Sequence, residues 1–375
     1  MTIETGRCIV DLLFRMYDED KPNCVVNKTT QAIILDFIGG EPLLNIDVID
    51  DVCTYFMQKC IDLNHPWLYT WRASMISNGD NYFDPKVQAY LKKFRGRVSF
   101  SITLDGPKEL HDSCRIHLDG TGNFDNAYRA FQHYTTHFDH LASTKCTVAP
   151  GNLDQVGKIV DFFCGLGIKD IHMNPAFEPE WTYEQAKIYY RNLIQLADYC
   201  LEKGDITISV FRDNSYCPLS EDNLITFCGG YGEMLAFDPD GNAYPCLRYM
   251  KSSLGDDAPA VVIGDTNSVY ESEAAKQVLA TMRAIDRKSE NTYRCFKCSI
   301  AAGCPECSAW NYQSTGGKWG VRNTNICPMH QAEALANCYY WNKLYKQQGE
   351  SKKFKLWLSK GEALKIVSLN EFYLL

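Results

Sequence analysis

The chain has 375 residues, 45% of them hydrophobic and 22% charged, with a formal net charge of −8. That length allows two domains with a large buried core, and an acidic balance without a long basic block argues against a nucleic-acid partner. No apolar run approaches the roughly 20 residues of a membrane-spanning helix, and residues 1–20 lack the basic start and apolar stretch of a secretory signal. A cytoplasmic chain with no membrane partner is expected. In a reducing compartment, 17 cysteines read as metal ligation or catalysis rather than a disulfide framework.

In chain order, Thr2-Ile-Glu-Thr5 has the look of a helix start. Residues 32–38 (AIILDFI) read as a buried strand ending at Gly39-Gly40, and a helix follows with Ile49, Val52, Cys53, Phe56 and Cys60 on one face. Further strands are predicted at 70–77, 98–104, 142–148 and 169–174, with helices at 84–95, 123–138, 153–166 and 181–203. Strands alternating with helices imply βαβ units and a parallel sheet, with ligands at the carboxyl ends of the strands. After about residue 205 the pattern changes. Residues 234–246 read as a hairpin turning at Asp238-Pro-Asp-Gly241. From there to about 330 the chain is loop-rich, and bound metal would supply the stability that a small core cannot. A helix is predicted from Pro328 through Leu344, and then a solvated, partly helical tail.

The chemistry is concentrated in cysteines. Cys295, Cys298, Cys304 and Cys307 follow the spacing C-x2-C-x5-C-x2-C, with Cys228 and Cys246 before them and Cys327 after. Thiolates in fours hold a [4Fe–4S] cluster or a tetrahedral zinc ion, and spacing alone does not separate the two. Cys53, Cys60, Cys164 and Cys200 fall on helix core positions and read as buried small hydrophobes.

Two strand ends carry further motifs. Gly39-Gly40-Glu41-Pro42 places two glycines where a ligand could approach the backbone, a carboxylate suited to an ammonium group, and a proline fit for a helix's first turn. Ser101-Ile-Thr103-Leu-Asp105-Gly-Pro107 ends another strand with hydroxyls that suit a ribose. It is followed by Arg115, whose planar fork suits a carboxylate. His111 and Asp112 read as a surface pair beside that turn, and Ser77-Asn78-Gly79 ends a third strand.

From about residue 28 to 345 the chain resembles the radical SAM enzymes that carry a C-terminal SPASM extension. The resemblance rests on Gly39-Gly-Glu-Pro42, Ser77-Asn-Gly79, Ser101 to Pro107, and Cys228-x12-Gly241-x4-Cys246 followed by Cys295, Cys298, Cys304, Cys307 and Cys327. It implies an α/β fold: a partial (β/α)6 barrel over residues 1–205, a cysteine-rich SPASM domain over 206–345 and a tail over 346–375. It also implies that Gly39, Gly40 and Glu41 contact the amino group of S-adenosylmethionine, that Thr103 or Ser101 faces its ribose, and that Arg115 faces its carboxylate. Cys295, Cys298, Cys304 and Cys327 would hold one auxiliary [4Fe–4S] cluster, and Cys228, Cys246 and Cys307 the other. Cys217 is the expected fourth ligand of the second set, with Cys338 the alternative.

Three positions depart from the family pattern. Cys304 and Cys307 are one residue closer than usual, and Leu247 stands where sulfatase-maturing relatives place an aspartate. No C-x3-C-x2-C triplet for the catalytic cluster occurs in the chain, and the sequence reads as truncated before Met1, by a fragment, a misplaced start or a domain boundary, so that the first barrel strand is missing. The implied activity is radical modification of a ribosomal peptide, forming a thioether or other side-chain crosslink, with flavodoxin or ferredoxin as reductant. A non-catalytic scaffold, a zinc-binding structural module and a sulfatase-maturase-like enzyme are the alternatives.

Overall fold

The computed structural model describes residues 1–21, 24–138, 144–212, 216–220, 228–289 and 293–375. The chain divides into two compact units. One comprises Met1–Leu104, Asp112–Ala142 and Gly229–Ala284, the other Asp105–His111, Ser143–Cys228 and Ile285–Leu375.

In the first unit, Thr2 caps helix α1 (Ile3–Glu19) by accepting from Thr5 N at 3.0 Å. Gly6 faces helix α2 (Ile46–Asp62), where a Cβ would stand 2.4 Å from Val52 Cγ2, so only glycine permits this close approach of the two helices. Between them runs strand β1 (Ile34–Phe37), which pairs in parallel with β2 (Arg72–Ser77). After helix α3 (Pro85–Lys93), β3 (Val98–Ile102) pairs in parallel with β2, and helix α4 (Phe124–Phe138) follows. The core of this unit is aromatic. Phe14 lies 5.3 Å from both Phe56 and Trp67, Phe56 lies 5.5 Å from Trp71, and both tryptophans are fully buried.

The second unit repeats the alternation. Strand β4 (Thr144–Val148), helix α5 (Val156–Gly165), β5 (Asp170–Pro175), helix α6 (Tyr183–Lys203) and β6 (Thr207–Ile208) follow one another, and the strands form a parallel sheet in the order β4-β5-β6. Helix α6 starts at a capping box, Thr182 with Gln185. The expected strand 142–148 begins at Thr144 among the described residues; its first two positions lie outside them.

The chain then returns to the first unit. Strand β7 (Ala236–Phe237) turns back antiparallel to β8 (Asn242–Tyr244), which also pairs with β9 (Gly264–Asp265). The turn is built on Asp238. Its carboxylate accepts from Asp240 N, Asn242 N, Asn242 Nδ2 and Tyr244 Oη at 2.9–3.0 Å. Gly241 adopts φ +89°, and a Cβ there would meet Thr266 Cγ2 at 3.0 Å and Thr5 Cγ2 at 3.3 Å, so glycine is required twice over. Helix α7 (Glu273–Arg283), capped by Ser272, interrupts the region read as loops. Its cap and its buried Ala275 and Met282 were legible signals.

Helices α8 (Ser308–Ser314) and α9 (Cys327–Gln347) complete the second unit, and α9 packs against α6. The tail is a correction to the expected solvated end. Leu358, Ala363, Ile366 and Val367 are buried, Asn342 Nδ2 donates to Leu375 O at 2.6 Å, and Phe354 N donates to Asn342 Oδ1 at 2.7 Å. Its lysines stand out in the sequence, but the spaced apolar residues between them decide the packing. Among the described residues no helix is long and apolar enough to cross a membrane.

Candidate cofactor and cluster sites

Parallel pairing brings three strand ends together in the first unit. Ser77 is in register with Ile102, and Thr103 N donates to Ser77 O at 2.9 Å. Glu41, at the end of β1, closes the group. Its Oε1 accepts from Leu43 N at 3.0 Å and Ser77 Oγ at 2.9 Å, and its Oε2 accepts from Asn78 N at 2.7 Å. Glu41 therefore ties the Gly-Gly-Glu-Pro turn to the Ser-Asn-Gly turn. Oε1 thus has both lone-pair sites filled, and Oε2 keeps one for an ammonium donor.

Gly39 and Gly40 stand differently from Gly241. Neither has a positive φ, and no atom lies within 4 Å of where a Cβ would stand at either position. Nothing in the protein's own packing demands glycine here, and the space beside the backbone is open to an incoming group.

Strand alternation puts Ser99, Ser101 and Thr103 on the face opposite the buried Val98, Phe100 and Ile102. Ile76, in register with Ser101, is 63% exposed, and Ile34 is 66% exposed, so this face of the sheet is open and mixes hydroxyl with apolar groups. Arg115 is exposed on the loop after Lys108–Cys114, and its carbonyl accepts from Asn123 N at 3.1 Å. The sequence reading missed the residue that anchors this loop: Asp80 Oδ1 accepts from Asn123 Nδ2 at 2.7 Å and Asn126 Nδ2 at 2.9 Å. In the second unit, His111 is fully buried and its Nδ1 accepts from Asp105 N at 3.2 Å. It holds the turn after β3 and is not the surface residue expected.

The second site is built from thiols. Cys295 lies in the short helix Tyr293–Phe296, Cys298 N donates to Cys295 O at 3.1 Å, and the chain turns through Ala301–Gly303 to Cys304. Cys327 is the first residue of α9. Burial pushes the Cys327 thiol up to about 12, and the charges of Cys304, Cys295 and Cys298 add to the effect. Burial likewise raises Cys298, with Cys304 and Cys295 contributing. Cys327 and Cys298 thus each feel the charges of Cys304 and Cys295. Among the described residues, no three His, Cys, Asp or Glu side chains form a group that could hold a single metal ion.

The remaining cysteines sit around this loop or apart from it. Cys217 O accepts from Ala302 N at 2.9 Å, Cys228 Sγ lies 3.3 Å from Ser308 Oγ, and Cys307 caps helix α8. Cys246 belongs to the first unit, at the start of the turn Leu247–Tyr249. Cys338 lies among tail residues, its sulfur 3.4 Å from Asn342 Nδ2 and 3.8 Å from Phe354 O. Cys53, Cys60 and Cys200 are buried, and Cys164 is half-buried.

Beneath Cys304 the structure holds charged groups that no cysteine spacing could announce. Arg287, Glu306, Arg322, His330 and Glu333 are all buried. Glu333 accepts from Tyr189 Oη and Tyr216 Oη at 3.0 Å, and lies 2.9 Å from His330 Nδ1. Burial alone would raise the Cys304 thiol, but His330, Arg322 and Arg287 outweigh it and bring it down to about 6. Burial alone would lower His330, but Cys304 and Glu333 outweigh it and raise it to about 10. His330 and Cys304 thus act on each other through both charge and hydrogen bonding.

Strands alternating with helices, with motifs at the ends of parallel strands, place the chain in the α/β class. The chain's relatives in sequence are radical SAM enzymes. It is similar to the radical SAM cyclopropyl synthase TigE of Paramaledivibacter caminithermalis, with 22% identity over 289 residues, 75% of this chain and 55% of that protein. It is also similar to the cysteine-type anaerobic sulfatase-maturating enzyme of Clostridium perfringens, with 24% identity over 248 residues, 60% of this chain and 62% of that protein. The chain thus spans between half and two thirds of the length of these curated relatives. Its fold is that of native anSMEcpe with bound AdoMet, at TM-score 0.62 and 14% identity over 93% of this chain and 90% of that one. The anSMEcpe structure with AdoMet and the Kp18Cys peptide matches equally, at TM-score 0.62 and 14% identity over 93% and 91%. No protein-family model matches the chain.

Proposed function

We propose that the chain acts in radical S-adenosylmethionine-dependent modification of a ribosomally made peptide, forming a thioether or other side-chain crosslink. S-adenosylmethionine would lie against Gly39, Gly40 and Glu41, with Ser101 or Thr103 toward its ribose and Arg115 toward its carboxylate. The open cradle beside the two glycines, with no steric or conformational reason of its own, supports this. Glu41 would orient the amino group while holding two strand ends in register, and the open hydroxyl-bearing face of the sheet would admit the rest of the molecule.

The proposal is carried by the cysteine set Cys295, Cys298, Cys304 and Cys327, with Cys298 N donating to Cys295 O at 3.1 Å and Cys327 opening helix α9. We assign them to one auxiliary [4Fe–4S] cluster of a SPASM-type domain. Cys228, Cys246 and Cys307, with Cys217 as the fourth ligand, would hold a second cluster. Such clusters supply a redox centre, and with four thiolates each neither leaves an iron open to substrate. The protein's share is to orient the ligands and exclude water. A peptide substrate is supported by the anSMEcpe structure of the same fold with AdoMet and the Kp18Cys peptide.

The catalytic cluster is treated differently. The sequence has no C-x3-C-x2-C triplet, so no step of S-adenosylmethionine cleavage is assigned to residues of this chain. The second reading is a non-catalytic scaffold that binds peptide. Anaerobic purification tests the cluster assignment. Brown protein with about eight irons and matching sulfide per chain, the count for two [4Fe–4S] clusters, is expected, and colourless protein with stoichiometric zinc would refute it. Equilibrium dialysis with S-adenosylmethionine, with and without Gly39→Val, tests the strand-end site. Unchanged binding in the variant would remove these glycines from it.

A further inference from the structure

The buried arginines beside Cys304 have a geometry that packing alone does not require. Arg322 Nη2 donates to Cys304 O at 2.9 Å and Pro305 O at 3.0 Å, and lies 3.2 Å from Cys304 Sγ. Arg287 reaches the same loop from Ala301 O at 2.6 Å and Cys304 O at 3.3 Å. The Glu306 carboxylate faces both guanidinium groups, 3.9 Å from Arg287 and 3.8 Å from Arg322, and also accepts from Asn311 Nδ2 at 3.2 Å. All three side chains are 5% exposed or less. Residues 301–306 are thus wrapped around two guanidinium ions, with the sulfur of Cys304 on the same side as the Arg322 fork.

We propose that Arg322 is a positioning residue for an iron–sulfur cluster ligand, holding the Cys304 sulfur in place and raising the reduction potential of the cluster that Cys304 binds. This rests on the cluster reading above. The physical basis is general. Hydrogen bonds to cluster sulfurs, and local positive charge, stabilise the reduced and more negative state. A guanidinium is suited to the task because it stays charged when buried and its planar fork serves several acceptors at once. Arg287 and Glu306 act on Arg322: Arg287 fixes the Ala301 and Cys304 carbonyls, and Glu306 orients both forks. His330, fully buried and acting on Cys304 through charge and hydrogen bonding, is a second donor to the same ligand. The four thiols are therefore not equivalent, with Cys304 the one under direct charge control.

The test uses the full chain, anaerobically reconstituted, as wild type, Arg322→Gln and Arg322→Lys. The readouts are iron and sulfide per chain, the EPR spectrum after reduction, the midpoint potential of each cluster, and far-UV circular dichroism. Arg322→Gln is expected to move one cluster to a more negative potential and change its EPR signal, leaving the other cluster unmoved. Arg322→Lys should recover part of that shift. Selective loss of about four irons with unchanged circular dichroism also supports the assignment, since a ligand held out of place loses its cluster. Unchanged potentials and EPR in a fully loaded Arg322→Gln protein would overturn it. Should that variant not fold, a third variant decides: Arg322→Met keeps the apolar stem and removes the charge and every donor, and wild-type potentials and EPR there would overturn the assignment. Wild-type protein that binds no iron refutes the cluster reading itself, a separate result.

Discussion

Glu41→Ala removes the acceptor shared by three donors at two strand ends, Leu43 N, Ser77 Oγ and Asn78 N, at 2.7–3.0 Å. Hydrogen bonds to a charged acceptor each contribute about 1.5–3 kcal/mol when well buried. Glu41 is only half-buried, so water replaces part of the loss, and about 1 kcal/mol per donor is the appropriate discount. Local opening of the two turns should become easier by about 2–3 kcal/mol, which corresponds to amide exchange faster by roughly 30- to 150-fold. Hydrogen–deuterium exchange resolved by peptide reads this directly. Segments covering 41–45 and 76–80 should lose protection, whereas helix α9 should not change. Glu41→Gln keeps one carbonyl acceptor and should fall between. Unchanged exchange at both segments in Glu41→Ala would refute the view that this side chain ties the strand ends together.

Two further perturbations test the buried polar groups. Glu333→Ala leaves Tyr189 Oη, Tyr216 Oη and His330 Nδ1 without their shared acceptor, and should destabilise the protein by about 3–5 kcal/mol. Glu333→Gln, which retains one acceptor oxygen, should cost about 1–2 kcal/mol. Urea denaturation of the metal-free protein checks both, and an alanine variant within 1 kcal/mol of wild type would contradict the assignment. His65 is buried against Phe14, Tyr17 and Trp67, and its Nδ1 accepts from Trp67 N at 3.3 Å. Burial, and to a lesser extent Lys28, lower its pKa despite Asp18. The unfolded chain therefore takes up the proton first, so stability is highest above the ordinary value of 6.5 and is lost as pH falls through the folded value. The urea midpoint, followed by tryptophan fluorescence, should drop between pH 7 and pH 5 in wild type and drop less in His65→Asn. Identical pH dependence in the two proteins would remove His65 as the cause.

The sequence by itself determined the elements and their order, because hydrophobic periodicity and turn chemistry are local. The helix faces at Val52, Phe56, Ile159 and Phe163, the parallel strands, and the hairpin at Asp238–Gly241 all follow from residues within a few positions of one another. The cysteine and glycine motifs were legible for the same reason, since their spacing is a property of the chain. What failed were cases in which distant residues compete. The tail's lysines suggested solvation, yet Ile366 and Val367 are buried and Asn342 meets Leu375. Helix α7 lay in a stretch whose glycines and cysteines pointed to loops.

Only the tertiary structure decided what surrounds the motifs. Glu41 reads as an exposed carboxylate until parallel pairing places Ser77 and Asn78 within hydrogen-bonding distance of it. Arg322 and His330 carry no spacing signal at all, being 18 and 26 residues beyond Cys304 in a chain with 38 Lys and Arg. They matter because folding buries them beside that sulfur. In a low-dielectric interior a charge must find a partner, and which partner it finds is a matter of packing rather than of sequence distance.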